Sequence, residues 1–138
     1  MGVAPTLDAK TSTRFAEPPW SEHSEPWLEL DAQLPPDHPA RDIRGALAHL
    51  TLTPLYLTYG GRGKASHPPD LMLAIVFFER RRRQRKPSQW YRDTQENVAL
   101  WWLGFGIRPS RSCWYEFRDR IGGVLICGYQ KRVHVEMA

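Results

Sequence analysis

The chain has 138 residues, a length that suits one domain with a modest core and excludes two full domains. It carries a net charge of +4, but residues 1–40 hold two basic against seven acidic residues, whereas the remainder holds seventeen basic against eight acidic residues. An acidic lead-in on a basic body favours a polyanionic partner. Two cysteines are too few for a disulfide framework, and no signal peptide opens the chain, which predicts a cytoplasmic protein.

Residues 1–39 are rich in proline and in acidic side chains, as in "EPPW", "SEPW" and "LPPDHP", and show neither a helical nor a strand period. This composition predicts a largely irregular arm. Three of its residues, Trp20, Trp27 and Leu28, are too apolar for an inert linker. We therefore expect them to fix the arm to the rest of the protein.

The body of the protein is predicted to cover residues 40–121. Its first segment, "ARDIRGALAHL", places apolar residues at helical spacing, and Asp37 is available as the N-cap. The next stretch, "GGRGKASHPP", predicts an irregular connector because it is rich in glycine and proline. It lacks the spacing of a phosphate-binding loop, yet its Arg62 and Lys64 are candidates for contact with a phosphate.

The stretch "LMLAIVFF", residues 71–78, is an unbroken apolar run. Pro68 or Pro69 suits the first turn of a helix, which we predict to continue to about Arg85. The run is far shorter than the roughly 20 residues that a membrane-spanning helix needs. It is therefore predicted to form the core, and no membrane partner is expected.

Residues 80–86, which we call the basic cluster, carry six positive charges in seven positions. The charged residues are Arg80, Arg81, Arg82, Arg83, Arg85 and Lys86. Interaction with the helix dipole accounts for one or two charges in a last turn. Because like charges repel, six of them favour a polyanionic partner, with contacts to DNA phosphates that position the domain without reading sequence.

Three further helices are predicted after the basic cluster. One begins near Ser88, the next is capped by Asn97 and ends before Gly104, and the last is capped by Ser110 and runs to about Ile121. The sequence contains no convincing alternating strand pattern. These features together predict an all-α fold.

The last helix has two different faces. Trp114, Phe117 and Ile121 lie on one side at spacings of three and four, which predicts that they enter the core. The candidate DNA-binding residues on or beside the opposite arc are Arg111, Ser112, Tyr115 and Arg118. Short helices and tight turns before a basic helix fit a helix-turn-helix-like arrangement, although a generic helical bundle with solvated arginines fits the pattern equally well.

No catalytic centre, metal or cofactor is expected. The late acids Asp93, Glu96, Glu116 and Asp119 form only local pairs, and no strands are predicted to bring carboxylates together around two metal ions. The histidines and cysteines show no ligand spacing typical of zinc. Charge pairs and solvated helix faces explain these acids better.

Four segments in order resemble successive landmarks of the N-terminal domain of InsH-type transposases. They are "LPPDHPARDIRGAL", "YGGRGKASHPPDLMLAIVFF", "ENVALWWLGFGIRPSRS" and "FRDR", from about Leu34 to Arg120. The resemblance implies a noncatalytic domain that binds double-stranded DNA at the terminal inverted repeats of an insertion sequence. In complete relatives a catalytic domain of the DDE class follows, whereas residues 122–138 here form an atypical tail. A truncated gene and a natural short protein both account for that tail.

Two alternatives to a DNA-binding function are open at this point. In the first alternative, the chain is an interaction module that modulates a full-length transposase through mixed oligomers, or pairs with itself. This alternative needs an exposed apolar surface on the arm around Trp20 and Trp27. In the second alternative, the chain is a decayed gene product with no function. A DNA-binding protein of this kind is expected to associate with the nucleoid.

Overall fold

The structure, a computed structural model, describes residues 15–60 and 65–124. Within these ranges the chain forms seven helices: α1 (Glu25–Gln33), α2 (Pro39–Leu47), α3 (Thr53–Tyr56), α4 (Pro69–Arg81), α5 (Pro87–Glu96), α6 (Val98–Leu103) and α7 (Arg111–Val124). No strand is present in the described residues; Phe15 and Ser66 form an isolated bridge. The predicted all-α fold is confirmed, whereas Arg62 and Lys64 lie outside the described residues.

Helix α4 forms the centre of the protein and packs against α2, α5 and α6. Every residue from 71 to 79 is buried, so this helix has no solvent-facing side until its last turn. A helix that is apolar all round must be enclosed by other elements. This confirms that the apolar run is core. None of the described helices is long and apolar enough to cross a membrane.

Helix α4 ends at Arg81, about four residues earlier than predicted. Arg83 adopts the left-handed conformation with φ of 67°, and its N–H donates to the carbonyl of Arg80 over 2.9 Å. The N–H of Gln84 donates to the carbonyl of Glu79 over 2.8 Å. This pair of bonds is a Schellman motif, built here on an arginine instead of the usual glycine. Most of the basic cluster therefore lies in a loop and not on a helix.

The arm contains a helix that the sequence did not predict, α1. Trp27 on this helix is buried, stacks on Trp102 at 5.8 Å and on Phe105 at 5.0 Å, and donates its indole N–H to the Trp102 carbonyl over 2.8 Å. In return the Trp102 indole donates to Asp31 over 3.0 Å. The acidic, proline-rich composition concealed α1 because long-range packing of one tryptophan, and not local pattern, stabilises it.

Trp20 also fixes the arm to the body. The backbone N–H of Trp20 donates to the Phe105 carbonyl over 3.0 Å. The Trp20 ring lies against Gly106, which has φ of +83°. A Cβ at Gly106 would come within 3.0 Å of that ring. The expectation for Trp20 and Trp27 is thus confirmed, but Leu28 is 45% exposed and does not take part.

Helix α2 is capped by His38 and not by Asp37. The Nδ1 of His38 accepts from the Ala40 N–H over 3.0 Å. Asp37 is exposed and lies one residue before the N-cap position. The sequence favoured Asp37 because aspartate is a common N-cap, whereas Pro39 at the first helical position fixes the register.

Two arginines of α2 stabilise the ends of other helices. Arg41 donates to the carbonyls of Leu34 and Pro35 just beyond α1, and also to Asp31 over 3.0 Å. Arg44 donates to the carbonyls of Trp102 and Leu103 at the end of α6. Since the last carbonyls of a helix lack partners within the helix, both arginines have structural roles.

The caps of the later helices follow the sequence closely. Asn97 accepts from the Ala99 N–H over 2.8 Å, and Ser110 accepts from the Cys113 N–H over 3.2 Å. Helix α7 continues to Val124, three residues beyond its predicted end, although Gly122 and Gly123 lower helix propensity. Helices α5 and α7 pack against each other.

Candidate nucleic-acid interface

Helix α7 separates a buried side from an exposed one, as its sequence predicted. Trp114 and Phe117 are almost fully buried, and Ile121 is half-buried against the same core. The opposite side carries Arg111, Ser112 and Arg118, which are exposed, and Tyr115, which is half-buried. The structure therefore brings all four candidate residues of this helix onto one accessible surface.

Tyr115 occupies the middle of that surface, between two guanidinium groups. The Arg111 guanidinium lies 5.8 Å from the centre of the Tyr115 ring, and that of Arg118 lies 5.2 Å from it. The neighbouring Arg111, and to a lesser extent Ser88, lower the pKa of the Tyr115 hydroxyl. Two cations on an aromatic ring present donors in fixed positions, an arrangement that suits phosphates and base edges.

The position of Ser88 links the α7 surface to the basic cluster. Ser88 is the second residue of α5 and lies beside Tyr115, while Lys86, the last residue of the cluster, immediately precedes α5. The start of α5 is rigid because Pro87 is its first residue and the Lys86 N–H donates to Gln89 over 3.4 Å. The end of the basic cluster and the exposed side of α7 are thus neighbours.

The basic cluster does not form one stripe. Its six charged side chains are all exposed, but only Arg80 and Arg81 belong to α4. Arg81 points to Asp42 of α2 over 3.6 Å, and Arg82 lies over the Phe78 ring at 5.7 Å. The remaining members follow the loop towards α5.

Positive charges crowd one another within the cluster. The pKa of Arg80 is lowered, first by partial burial and then by the charge of Arg85. Repulsion of this kind is relieved when an anion binds, because the anion interacts favourably with both groups.

A buried carboxyl group lies under the cluster without neutralising it. Glu79 is fully buried, and neither of its oxygens has a hydrogen-bond partner within the described residues. Burial, followed by the neighbouring Asp93, raises its pKa to about 9, and the positive charges of Arg82 and Arg92 offset only part of that rise. Glu79 is therefore uncharged at neutral pH, so that the cluster keeps its full positive charge.

The acids considered for metal binding do not come together. No group of three histidine, cysteine or acidic side chains in the described part of the chain is able to hold a metal ion. Asp93 pairs with Arg92 over 3.6 Å, and Asp119 pairs with Arg118 over 3.1 Å.

Sequence reasoning missed one basic residue and one surface feature. Arg108 is exposed and lies over the Trp101 ring at 5.0 Å. A cleft of about 470 Å³ lies between the starts of α2 and α6 and the end of α4. Its residues are far apart in the sequence, and no local pattern marks them.

Residues 28–120 match the family model described as a transposase domain (DUF772). The match covers 93 of the 138 residues, and it extends from within α1 almost to the end of α7. No curated protein and no solved structure matches the chain.

Proposed function

Because the chain belongs to the transposase domain (DUF772) family, we propose that it is the DNA-binding N-terminal portion of an InsH-type insertion-sequence transposase, and that it binds the terminal inverted repeats of the element. The observation that carries this proposal is the position of Tyr115 between Arg111 and Arg118, beside the end of the basic cluster. A surface of this composition offers several hydrogen-bond donors to DNA, and the neighbouring Asp119 pairs with Arg118 over 3.1 Å.

Within this proposal α7 is the helix that enters the major groove. We expect it to act as the second helix of a helix-turn-helix-like unit; it follows α6 after residues 104–110, and its buried side packs against α5. Recognition helices read bases mainly with their first turns, so Arg111 contacts a base edge, with guanine the best match for a guanidinium. Arg118 lies two turns further along and contacts a backbone phosphate. The basic cluster supplies affinity that does not depend on sequence.

The proposed role is to bind DNA without transferring strands. Transposases of the DDE class hold two metal ions with three separated carboxylates on a sheet, the chemistry that two-metal sites support. The described residues contain helices and no strand, and acids such as Asp93 and Asp119 pair with neighbouring arginines. Strand transfer is accordingly assigned to a partner chain or to another part of a longer transposase.

The interaction-module alternative needs an apolar arm surface around Trp20 and Trp27. Trp27 is only 8% exposed, and Trp20 lies against Gly106, so that both are used within the fold. This observation favours DNA binding over assembly through the arm.

A gel-shift assay with the repeats that flank the coding sequence tests the proposal. The full chain should bind duplexes carrying these repeats more tightly than unrelated duplexes of equal length. The same samples with Mg²⁺ or Mn²⁺ should show no nicking. Equal affinity for all duplexes would contradict binding of element ends, and nicking that one carboxylate substitution abolishes would contradict the noncatalytic role.

A further inference from the structure

The polar side chains that line the cleft beside the end of α4 are all able to donate hydrogen bonds. Its residues are His38, Pro39, Phe78, Arg81, Arg82, Asn97 and Ala99. It lies on the α2 side of the basic cluster, where Arg81 and Arg82 leave the helix, and not on the exposed side of α7. It is therefore a different surface from the one that contains Tyr115.

Two helix caps determine which side-chain atoms of His38 and Asn97 are left as donors. The Nδ1 of His38 accepts from the Ala40 N–H over 3.0 Å, so the proton of the neutral ring is on Nε2, which is left as a donor. The Oδ1 of Asn97 accepts from the Ala99 N–H over 2.8 Å, which leaves the two N–H groups of its amide available. The N–H groups of Ala40 and Ala99 are already used by these caps, and we expect a ligand to be bound by the side chains.

The two arginines add positive charge to these neutral donors. Arg82 lies over Phe78 at 5.7 Å, and the His38 ring stacks on the same phenylalanine at 6.0 Å, so both are positioned by one buried ring. The acid close to Arg81 is Asp42, at 3.6 Å and itself 62% exposed. A long, exposed ion pair of this kind is weak and is readily replaced by a ligand.

We propose that this cleft binds a phosphate group. A phosphate has only acceptor oxygens at neutral pH, and it matches a lining in which every polar side chain donates. Arginine forks and amide N–H groups that reach the cleft from three helix ends suit a tetrahedral oxyanion. In the DNA complex this phosphate belongs to the DNA backbone, and that assignment rests on the proposed function. Free inorganic phosphate offers the same chemistry.

Asn97→Asp is the sharpest variant. Aspartate caps a helix as well as asparagine does, so α6 keeps its start. The change replaces two N–H donors in the cleft by a negative oxygen, and phosphate affinity should fall at least about tenfold. Thr51→Asp makes the same change of charge in the exposed loop past the opposite end of α2 and should leave the affinity unchanged. Arg82→Gln, at an exposed position that does not threaten folding, should also weaken binding.

The test is a titration of the full chain with inorganic phosphate at constant ionic strength, followed by the NMR signals of the backbone N–H groups of residues 82 and 99, which every variant retains. Saturable shifts that Asn97→Asp and Arg82→Gln weaken, and that Thr51→Asp leaves alone, are expected. Shifts that do not saturate, or that persist equally in Asn97→Asp and Arg82→Gln, would overturn the proposal.

A second titration, with a duplex carrying the terminal repeat, identifies the source of the phosphate. Displacement of inorganic phosphate by the duplex supports the backbone. If the duplex binds but leaves phosphate in the cleft, the backbone source is wrong, whereas the cleft remains a site for free phosphate. If the duplex does not bind at all, the proposed function fails, and the inorganic phosphate titration still decides the cleft.

Discussion

The indole of Trp90 in α5 packs edge-on against the indole of Trp114 in α7, with 5.9 Å between the ring centroids. Both side chains are almost fully buried. This contact joins the helix that begins where the basic cluster ends to the helix that carries Arg111. The cluster and the α7 surface are therefore held in a fixed relation, as a protein that contacts one duplex at both places requires.

Trp114→Ala should destabilise the protein by about 3–5 kcal/mol, because it leaves a cavity between α5 and α7. Urea unfolding followed by circular dichroism measures this loss. Tyr115→Ala, on the other side of the same helix, is the matched control and should change the free energy of unfolding by only about 0.5 kcal/mol. Similar losses for the two variants would show that α7 is oriented differently.

Arg111→Ala and Arg118→Ala should affect DNA binding in different ways. Loss of Arg111 should relax the preference at one base position by roughly 1–3 kcal/mol, because a bidentate contact to a base is lost. Loss of Arg118 should weaken binding to all sequences alike, because a phosphate contact carries no sequence information. Selection from randomised duplexes with each folded variant measures both effects. An unchanged base preference in Arg111→Ala would exclude base reading by that residue.

Glu79 should make the stability of the protein decrease with rising pH. Its pKa is about 9 in the folded protein and 4.5 in an ordinary environment. The folded state thus retains a proton that the unfolded chain releases, so the stabilisation is complete below about pH 4.5. It is lost as the pH rises towards about 9, by up to about 1.4 kcal/mol per pH unit.

Glu79→Gln removes this titration while preserving the shape of the side chain. Relative to the original chain, the variant should become more stable as the pH rises from about 6 to about 8. Asp93, Arg82 and Arg92 face the same carboxyl group and are unchanged in both proteins. Glu96→Gln, at an exposed position of α5, serves as the control. Parallel stability curves for the Glu79→Gln variant and the original chain would refute a neutral, buried Glu79.

Arg83→Gly should stabilise the protein by about 0.5–1 kcal/mol. A left-handed conformation costs a residue other than glycine roughly 1–2 kcal/mol, part of which is offset by the greater freedom of glycine in the unfolded chain. Arg85→Gly removes the same charge from the same loop without a left-handed φ and should destabilise by about 0.5 kcal/mol. Thermal unfolding of both variants distinguishes the effect of the backbone conformation from that of the charge. A loss of stability in Arg83→Gly would contradict a strained left-handed conformation at this position.

The sequence predicted the features that depend on local pattern. The apolar run of α4, the caps Asn97 and Ser110, and the two faces of α7 follow from residue spacing and from side chains that bond the nearby backbone. Each of these features is encoded within a few residues, where helical periodicity and capping chemistry act directly.

The sequence did not predict features that depend on long-range contacts. Helix α1 needs Trp27 to meet Trp102, which is 75 residues away, and the cleft needs His38, Arg82 and Asn97 to meet from three helix ends. The early end of α4 was missed for another reason, since an arginine instead of a glycine takes the left-handed position. Residue type alone does not mark that position.

The salt dependence of DNA binding measures how many phosphates the basic cluster contacts. Arg83→Gln with Arg85→Gln should flatten the slope of log K against log[salt] by about 0.9 for each lost phosphate contact, or about 1.8 in total. The control is Arg92→Gln, at an exposed arginine of α5 that already pairs with Asp93 over 3.6 Å. If the cluster binds DNA phosphates, the slope should be flatter for the cluster pair and unchanged for the control. An unchanged slope for the cluster pair, or an equal change in both, would contradict binding of DNA through the basic cluster.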